Sequence, residues 1–381
     1  MFDIKFLKKT AFIIGKRTNG VFKMPVEQQK SYIQHFKEPT DNIERSYYQY
    51  CCQMKLSGTL ISYLLNIASL PLLLFYYFKK NNLVNNEKCD AAFISIGVIP
   101  IELLPAMINE EFPLMKEVDG VKEFFTEADK QFFKKIFIRY PFSWHFLFKN
   151  LLKIKTYSHI INSYQPKCIV VSGEYSFTSS VLTEYCNYCN VRHYNVMHGE
   201  KLFFMRDTFF SYDKCFIWDD YYRKLFQDLR AADGQFVVYA PKTLCLGDGR
   251  RVAKHRDYTY YLGAQTGSKL EKIIYRLQKL ALSGFKVVIR PHPRYTNLDE
   301  LKKLAFGKSI EIENPNEVNI AESVLQTVNV ISLYSTVLNQ AYHSGVEIVI
   351  DDITEPEEYE KLKKLQYIMV TVPHKLLSSI I

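Results

Sequence analysis

The chain has 381 residues, 48% of them hydrophobic and 23% charged, with a formal charge of +9; that is room for roughly two domains and a large core. Its eight cysteines are irregularly spaced, which excludes a disulfide framework and reads as reduced thiols of a cytosolic protein. The modest basic excess fits anionic substrates or an anionic membrane face, and no dense Lys/Arg run, zinc-finger spacing or aromatic RNA-binding signature points to nucleic acid.

Residues 1–55 are mixed and charged with little periodicity, and no chemistry is expected there. Met1-Phe2-Asp3-Ile4-Lys5 lacks the basic start and long apolar core of a signal peptide. An uncharged run then extends from Leu56 to Phe78 and ends at Lys79-Lys80. About 20 such residues can span a bilayer, yet Ser57, Ser62, Asn66, Ser69 and Pro71 interrupt this one. The Lys and Arg of residues 1–55 would stay cytoplasmic, which would put the rest of the chain outside, away from any nucleotide-sugar pool. A buried or membrane-resting helix removes that conflict. Residues 1–85 are therefore read as an N-terminal region carrying such a helix.

An alternation of strands and helices follows. Ala91 to Gly97 reads as a strand, Lys122 to Tyr140 and His145 to Tyr164 as helices, and Cys168 to Val171 as a strand running into Ser172-Gly173-Glu174. Phe177 to Tyr188 is a helix, Val191 to Met197 a strand ending at His198-Gly199-Glu200, Phe216 to Trp218 a strand before an Asp219-started helix, and Phe236 to Tyr239 a last strand. The turn-rich Leu246 to Arg251 reads as a linker. A second series comprises strands at Tyr258 to Ala264, Phe285 to Ile289, Ile310 to Ile312, Val328 to Ser332 and Val346 to Ile350, with helices at Ser268 to Leu282, Ile320 to Gln326 and Thr336 to His343. Such alternation predicts parallel sheets. The expected fold is α/β: two doubly wound, Rossmann-like domains (86–246 and 252–381) facing a cleft, with the acceptor on the first and a nucleotide donor on the second.

In the second series the apolar Val287-Val288-Ile289 runs into Arg290-Pro291-His292-Pro293-Arg294. Prolines cannot continue a central strand, so the chain leaves the sheet at the carboxyl end, where α/β proteins bind ligands. A histidine on a stiff turn beside guanidinium groups suits a phosphate. Gly263-Ala264-Gln265-Thr266 is a second strand-to-helix turn, and Ser332-Leu333-Tyr334-Ser335-Thr336 a third. Ser335 or Thr336 stands where a helix N-cap belongs, and a helix start is an anion site. His292, Arg290, Ser335 and Thr336 are the expected phosphate ligands, with Gly263, Gln265 and Pro293 against the nucleotide.

In the first series Glu174 and His198 each follow a strand and are the candidates for acid–base work. Ordinary alternatives are a helix-start charge for Glu174 and a satisfied loop histidine for His198. Lys201, Arg206 and Asp207 are polar companions without a task. Cys186, Cys189, His193 and His198 invite a zinc reading, but the change from helix to strand scatters them. Asp219-Asp220 reads more simply as a cap than as a metal site, and Asp351-Asp352 as a solvated turn rather than a ribose contact. No metal is expected. No Gly-rich phosphate loop with Lys-Ser/Thr and no nucleophile elbow is present.

Arg290-Pro291-His292-Pro293, with Ser335-Thr336 later, resembles the His-Pro and Ser/Thr motifs of bacterial sialyltransferases and polysialyltransferases of surface polysaccharide synthesis. That resemblance implies the two-domain GT-B fold and metal-independent, inverting transfer from CMP-sialic acid to a glycan hydroxyl. It makes His292, Ser335 and Thr336 ligands of the donor phosphate, with no cofactor beyond the nucleotide-activated donor. The base of those families lies in an acidic motif ending in glycine; Ser172-Gly173-Glu174 is the nearest stretch here, in altered order. Met197-His198-Gly199 with the same later motifs is similar to CDP-glycerol glycerophosphotransferases of wall-polymer synthesis, which would make His198 the base. The basic excess and the apolar segment at 56–78 suit a cytoplasmic enzyme at the inner face of the plasma membrane, with a lipid-linked glycan acceptor and peripheral membrane contact. A non-catalytic nucleotide- or glycan-binding module is the reading outside the enzyme classes.

Overall fold

In the computed structural model, which describes residues 24–83, 87–95 and 100–381, the apolar runs become short, buried, parallel strands. The chain forms two compact units. One holds the residues up to Gly199 and Phe203–Tyr239; the other holds Glu200–Leu202 and Ala240–Ile381.

The described residues of the first unit begin with helices where little periodicity is legible: α1 (Val26–Gln34) and α2 (Asn42–Ser57). Asp41 caps α2 by accepting from the Glu44 N–H at 2.8 Å. Gly58, at φ +88°, turns the chain into α3 (Thr59–Phe78), the apolar helix, which carries Pro71 inside it. Next come β1 (Ala91–Ile94), α4 (Ala106–Glu111), β2 (Met115–Val118), α5 (Glu127–Arg139), α6 (Trp144–Tyr164), β3 (Cys168–Val171), α7 (Ser179–Tyr188), β4 (Arg192–Val196), β5 (Lys214–Ile217), α8 (Asp220–Asp228) and β6 (Phe236–Val238). The expected first strand is thus shorter, and its Ile96 and Gly97 lie outside the described residues. Helix α5 starts later than Lys122 because Thr126 and Asp129 close a capping box there, with reciprocal bonds of 3.1 and 2.7 Å. Strand β2 is four residues with only one of them buried, too little apolar signal to be read beforehand.

The sheet of this unit runs β2-β1-β3-β4-β5-β6, parallel throughout. Its strand order reverses between β1 and β3. One face packs Phe93, Val170, Tyr194 and Val196 against Leu104, Ile108 and Phe112. His193, on the other face of β4, is held by the Tyr157 hydroxyl at 3.0 Å and the Thr183 hydroxyl at 2.8 Å. It is therefore a satisfied core histidine, and no metal-ligating cluster exists among the described residues. Asp219 is the cap of α8, accepting from the Tyr221 N–H at 2.9 Å.

The second unit contains β7 (Arg256–Tyr261), α9 (Gly267–Leu282), β8 (Val287–Arg290), α10 (Leu298–Ala305), β9 (Glu311–Ile312), α11 (Ile320–Leu325), β10 (Thr327–Ser332), α12 (Thr336–His343), β11 (Glu347–Ile350), α13 (Pro356–Lys364) and a two-residue β12 (Lys375–Leu376). All strands are again parallel, in the order β12-β11-β10-β7-β8-β9. That is the doubly wound order of dinucleotide-binding sheets, and it reverses between β7 and β10. Tyr260, Val287, Ile289 and Ile331 pack against Leu270, Ile273 and Leu277 of α9. Asp351 is not a solvated turn. It is fully buried, and it accepts from the Tyr260 hydroxyl at 2.6 Å and the Thr354 N–H at 2.9 Å, so it fastens β11 to β7.

Candidate functional site

In a parallel sheet the loops at a strand-order reversal diverge and leave a crevice. In the second unit β7 lies between β8 and β10, so the three turns singled out in the sequence emerge side by side. They enclose a cavity of about 290 Å³ lined by Gly263 after β7, His292 and Tyr295 after β8, and Tyr334, Ser335 and Thr336 after β10, with Leu262, Tyr367 and Glu200 completing it.

The His292 turn is locked by short bonds. The His292 N–H donates to the Thr296 hydroxyl at 2.8 Å, and the same hydroxyl donates to the Gly263 carbonyl at 3.3 Å, tying the first two turns together. The Arg294 N–H donates to His292 Nδ1 at 3.1 Å. Nδ1 is thereby an acceptor, and the proton of the neutral ring sits on Nε2. Tyr295 stacks on the ring, with centroids 4.5 Å apart. The imidazole is thus a pre-oriented N–H donor in the cavity wall.

Ser335 is the N-cap of α12: its hydroxyl accepts from the Val337 N–H at 3.2 Å. Thr336 is the first helical residue and is exposed at the cavity. The two hydroxyls expected to act alike are therefore divided, one holding the helix start and one facing the cavity. Tyr367 is buried and donates to the Ser335 carbonyl at 3.4 Å; burial first, and then the Glu200 charge, pushes its phenol well above the usual range, so it stays a donor. Gln265 closes its own turn, its carbonyl accepting from the Gly263 N–H at 2.7 Å.

Arg290 does not join this wall. Its guanidinium is buried and paired with the Glu313 carboxylate, whose other oxygen binds Arg256. Pro293 is exposed and outside the cavity lining. Tyr295, Tyr334, Tyr367 and Glu200 were not assigned from the sequence. The sequence offers an aromatic next to each turn and, for Glu200, its place after the strand that ends at His198-Gly199. Glu200 is held by the Asn339 side chain of α12, which donates to it at 2.6 Å.

The first unit brings its two candidates together. Strands β3 and β4 are neighbours in register, Val171 opposite Asn195, so the loops that follow them meet. Glu174 is fully buried, accepts from the Asn195 amide at 3.1 Å, and lies 3.2 Å from His198 Nδ1. Gln49 of α2 holds the Glu174 carbonyl at 3.0 Å, and Tyr175 stands edge-on to the His198 ring. A carboxylate this near Nδ1 favours the tautomer with the proton on Nδ1 and the lone pair on Nε2. Glu174 and His198 thus stand side by side, a carboxylate and an imidazole, where β3 and β4 end. Arg206 is bound to Asp207 at 2.7 Å. A second cavity of about 210 Å³ opens at the β1/β3 reversal, walled by Ser172, Gly173 and Ser179.

No protein-family model matches this chain, and neither does any curated protein. Among solved structures it is similar to the calicheamicin glycosyltransferase CalG4, at 10% identity and a TM-score of 0.43, over 76% of this chain and 85% of that one. A likeness to the wall teichoic acid polymerase TagF with CDPG has 10% identity and a TM-score of 0.37, over 83% and 84%. Another, to the Methanocaldococcus jannaschii UDP-GlcNAc 2-epimerase with UDP-GlcNAc and UDP, has 13% identity and a TM-score of 0.33, over 73% and 83%.

Proposed function

We propose that the chain is a glycosyltransferase of surface polysaccharide synthesis, which moves sialic acid from CMP-sialic acid to a glycan hydroxyl with inversion and without a metal or resident cofactor. The observation that carries this reading is the His292 Nε2–H donor beside the start of α12, at the strand-order reversal of a dinucleotide-type sheet. A phosphate there takes hydrogen bonds from His292 and from the exposed hydroxyl of Thr336, while the helix start favours its charge. Stacked Tyr295 and the exposed Tyr334 offer flat apolar surface to a pyrimidine and ribose.

In this reading His198 Nε2 removes the proton of the acceptor hydroxyl, and Glu174 stabilises the imidazolium that results. The oxygen attacks the anomeric carbon, the bond to the phosphate oxygen breaks, and CMP leaves with that electron pair. The donor pool would keep the reaction cytoplasmic, with a lipid-linked glycan acceptor at the inner membrane face. The pairing that makes His198 the base favours a second reading, glycerophosphate transfer from CDP-glycerol, in which the same hydroxyl chemistry acts at phosphorus.

A thermal-shift series with CMP, CDP, UMP, UDP, GDP and CMP-sialic acid, without added metal, tests both. A selective rise with CMP and CMP-sialic acid supports sialyl transfer. A rise confined to CDP moves the assignment to glycerophosphate transfer, and one with UDP or GDP to another donor. No response to any nucleotide overturns the phosphate site.

A further inference from the structure

Helix α3 is 20 residues long and only 11% of its most apolar window is buried, although its mean hydropathy is that of a membrane segment. Its two faces differ in kind. One is fastened by polar bonds along its whole length. The Ser62 hydroxyl donates to the Met54 carbonyl at 2.8 Å, and the Asn66 amide donates to the Phe142 carbonyl at 2.9 Å while accepting from the His145 N–H at 3.0 Å. Ser69 and the His145 ring are 2.9 Å apart, and the buried Lys155 ammonium donates to the Tyr76 and Lys79 carbonyls at 2.9 and 3.1 Å, capping the helix end. The other face is an unbroken exposed stripe of Leu60, Leu64, Ile67, Leu74, Phe75 and Phe78, the two end residues 71% and 74% exposed. Phe137 of α5 shares a groove wall with Leu74 and Phe78 on one side, and the exposed Phe142 shares one with Tyr63 on the other.

Exposed apolar surface on this scale marks a binding face. Its rim is basic: Lys55 precedes the helix, Lys79 and Lys80 follow it, and Lys130 and Lys134 line the groove on α5, against Glu123 and Glu127. Two copies meeting through this face would bring lysine rims together, whereas an anionic leaflet satisfies both the stripe and the lysines. We propose that α3 lies in the plane of an anionic membrane leaflet, its outer stripe sunk to the acyl boundary and its inner face still bonded to the first unit. Crossing the bilayer would need the polar inner face stripped of those partners and placed in hydrocarbon. This inference goes beyond the transferase reading and holds whatever the donor.

The test uses the full chain with a protease-cleavable tag at each terminus, sedimented with phosphatidylcholine vesicles with or without phosphatidylglycerol. Binding is expected with the anionic vesicles and at least tenfold weaker with the neutral ones, and added protease should remove both tags. Leu64→Asn with Phe75→Asn should weaken partition tenfold or more at unchanged thermal midpoint, since each removes a side chain from the acyl boundary. If that pair folds poorly, Leu60→Asn with Phe78→Asn serves the same purpose. Lys79→Glu with Lys80→Glu should remove the preference for anionic lipid. The proposal is overturned if the wild type stays in the supernatant with both vesicles or if the stripe variants bind as well as the wild type. It also fails if one tag is protected from protease, or if the stripe variants instead dissociate a dimer of the free protein.

Discussion

His292 and Arg290 stand two residues apart on one turn and do different jobs. The last residue of β8 keeps the strand's alternation, so Arg290 faces the layer opposite to Ile289 and finds Glu313 there. His292 follows the proline that ends the strand, and its ring is set by the backbone of Arg294. His292→Ala is expected to weaken CMP binding by about 10–100-fold, the roughly 1.5–3 kcal/mol of a hydrogen bond to a charged group, at unchanged thermal midpoint. Arg290→Met should lower the midpoint, since it leaves part of a buried ion network unbalanced, while the CMP affinity stays within about threefold by the same hydrogen-bond scale. Calorimetric titration and melting of both variants check this; equal loss of affinity in the two would return Arg290 to the site. Glu174→Gln replaces an anionic acceptor by an amide at His198 Nδ1, so the turnover number of the transfer should fall about 10²–10⁴-fold, as for other orienting carboxylates. A Glu174→Gln enzyme with wild-type turnover would remove the carboxylate from the mechanism.

The strands whose residues are buried throughout, such as β3 and β8, were legible because both faces are covered and the apolar run is continuous. The reversal of strand order, which makes the turns after β7, β8 and β10 neighbours, was not fixed by any local signal, only expected from the βα alternation. The pairing of Glu174 with His198 depends on the register of β3 against β4, and the capture of Arg290 on a residue 23 positions away. Both are long-range facts that period and propensity do not carry. Helix α12 shows how an element is placed from its far end. Gly345, at φ +68°, ends it, and the linker returns onto that turn through the Gly249 N–H bond to the Ser344 carbonyl at 2.7 Å. A Cβ on Gly249 would lie 2.8 Å from that carbonyl and 2.5 Å from Val346 Cγ2. Gly249→Ala should therefore cost about 1–3 kcal/mol, the usual range for overpacking, and shift α12. A drop in urea midpoint together with weaker CMP binding is the expected result, and a neutral variant would sever the linker from the site.

At the scale of the whole molecule, acid and nucleotide are expected to act on different units. His193 and His145 both belong to the first unit. Burial pushes the His193 imidazole down to about 3; burial, and then the Lys149 charge, pushes His145 down to about 4. Unfolded, each takes up a proton near pH 6.5. Below that pH the unfolded chain binds more protons than the native one, so stability is fully present above it and is lost as pH falls towards 4 and then 3. His193 alone should remove about 2 kcal/mol at pH 5 by this linkage, and the half-buried His145 a smaller amount after solvent screening. A nucleotide bound as proposed beside His292 would stabilise only the structure that forms that site. Calorimetric scans at pH 7.5 and pH 5, with and without CMP, should thus show acid lowering the melting of the first unit and CMP raising that of the second. His193→Gln should flatten the acid dependence by about the slope of one histidine, ~1.4 kcal/mol per pH unit. Scans that coincide at the two pH values would mean that His193 is already protonated in the native sheet. Its bonds to Tyr157 and Thr183 would then have to be reassigned, with the ring donating at both nitrogens.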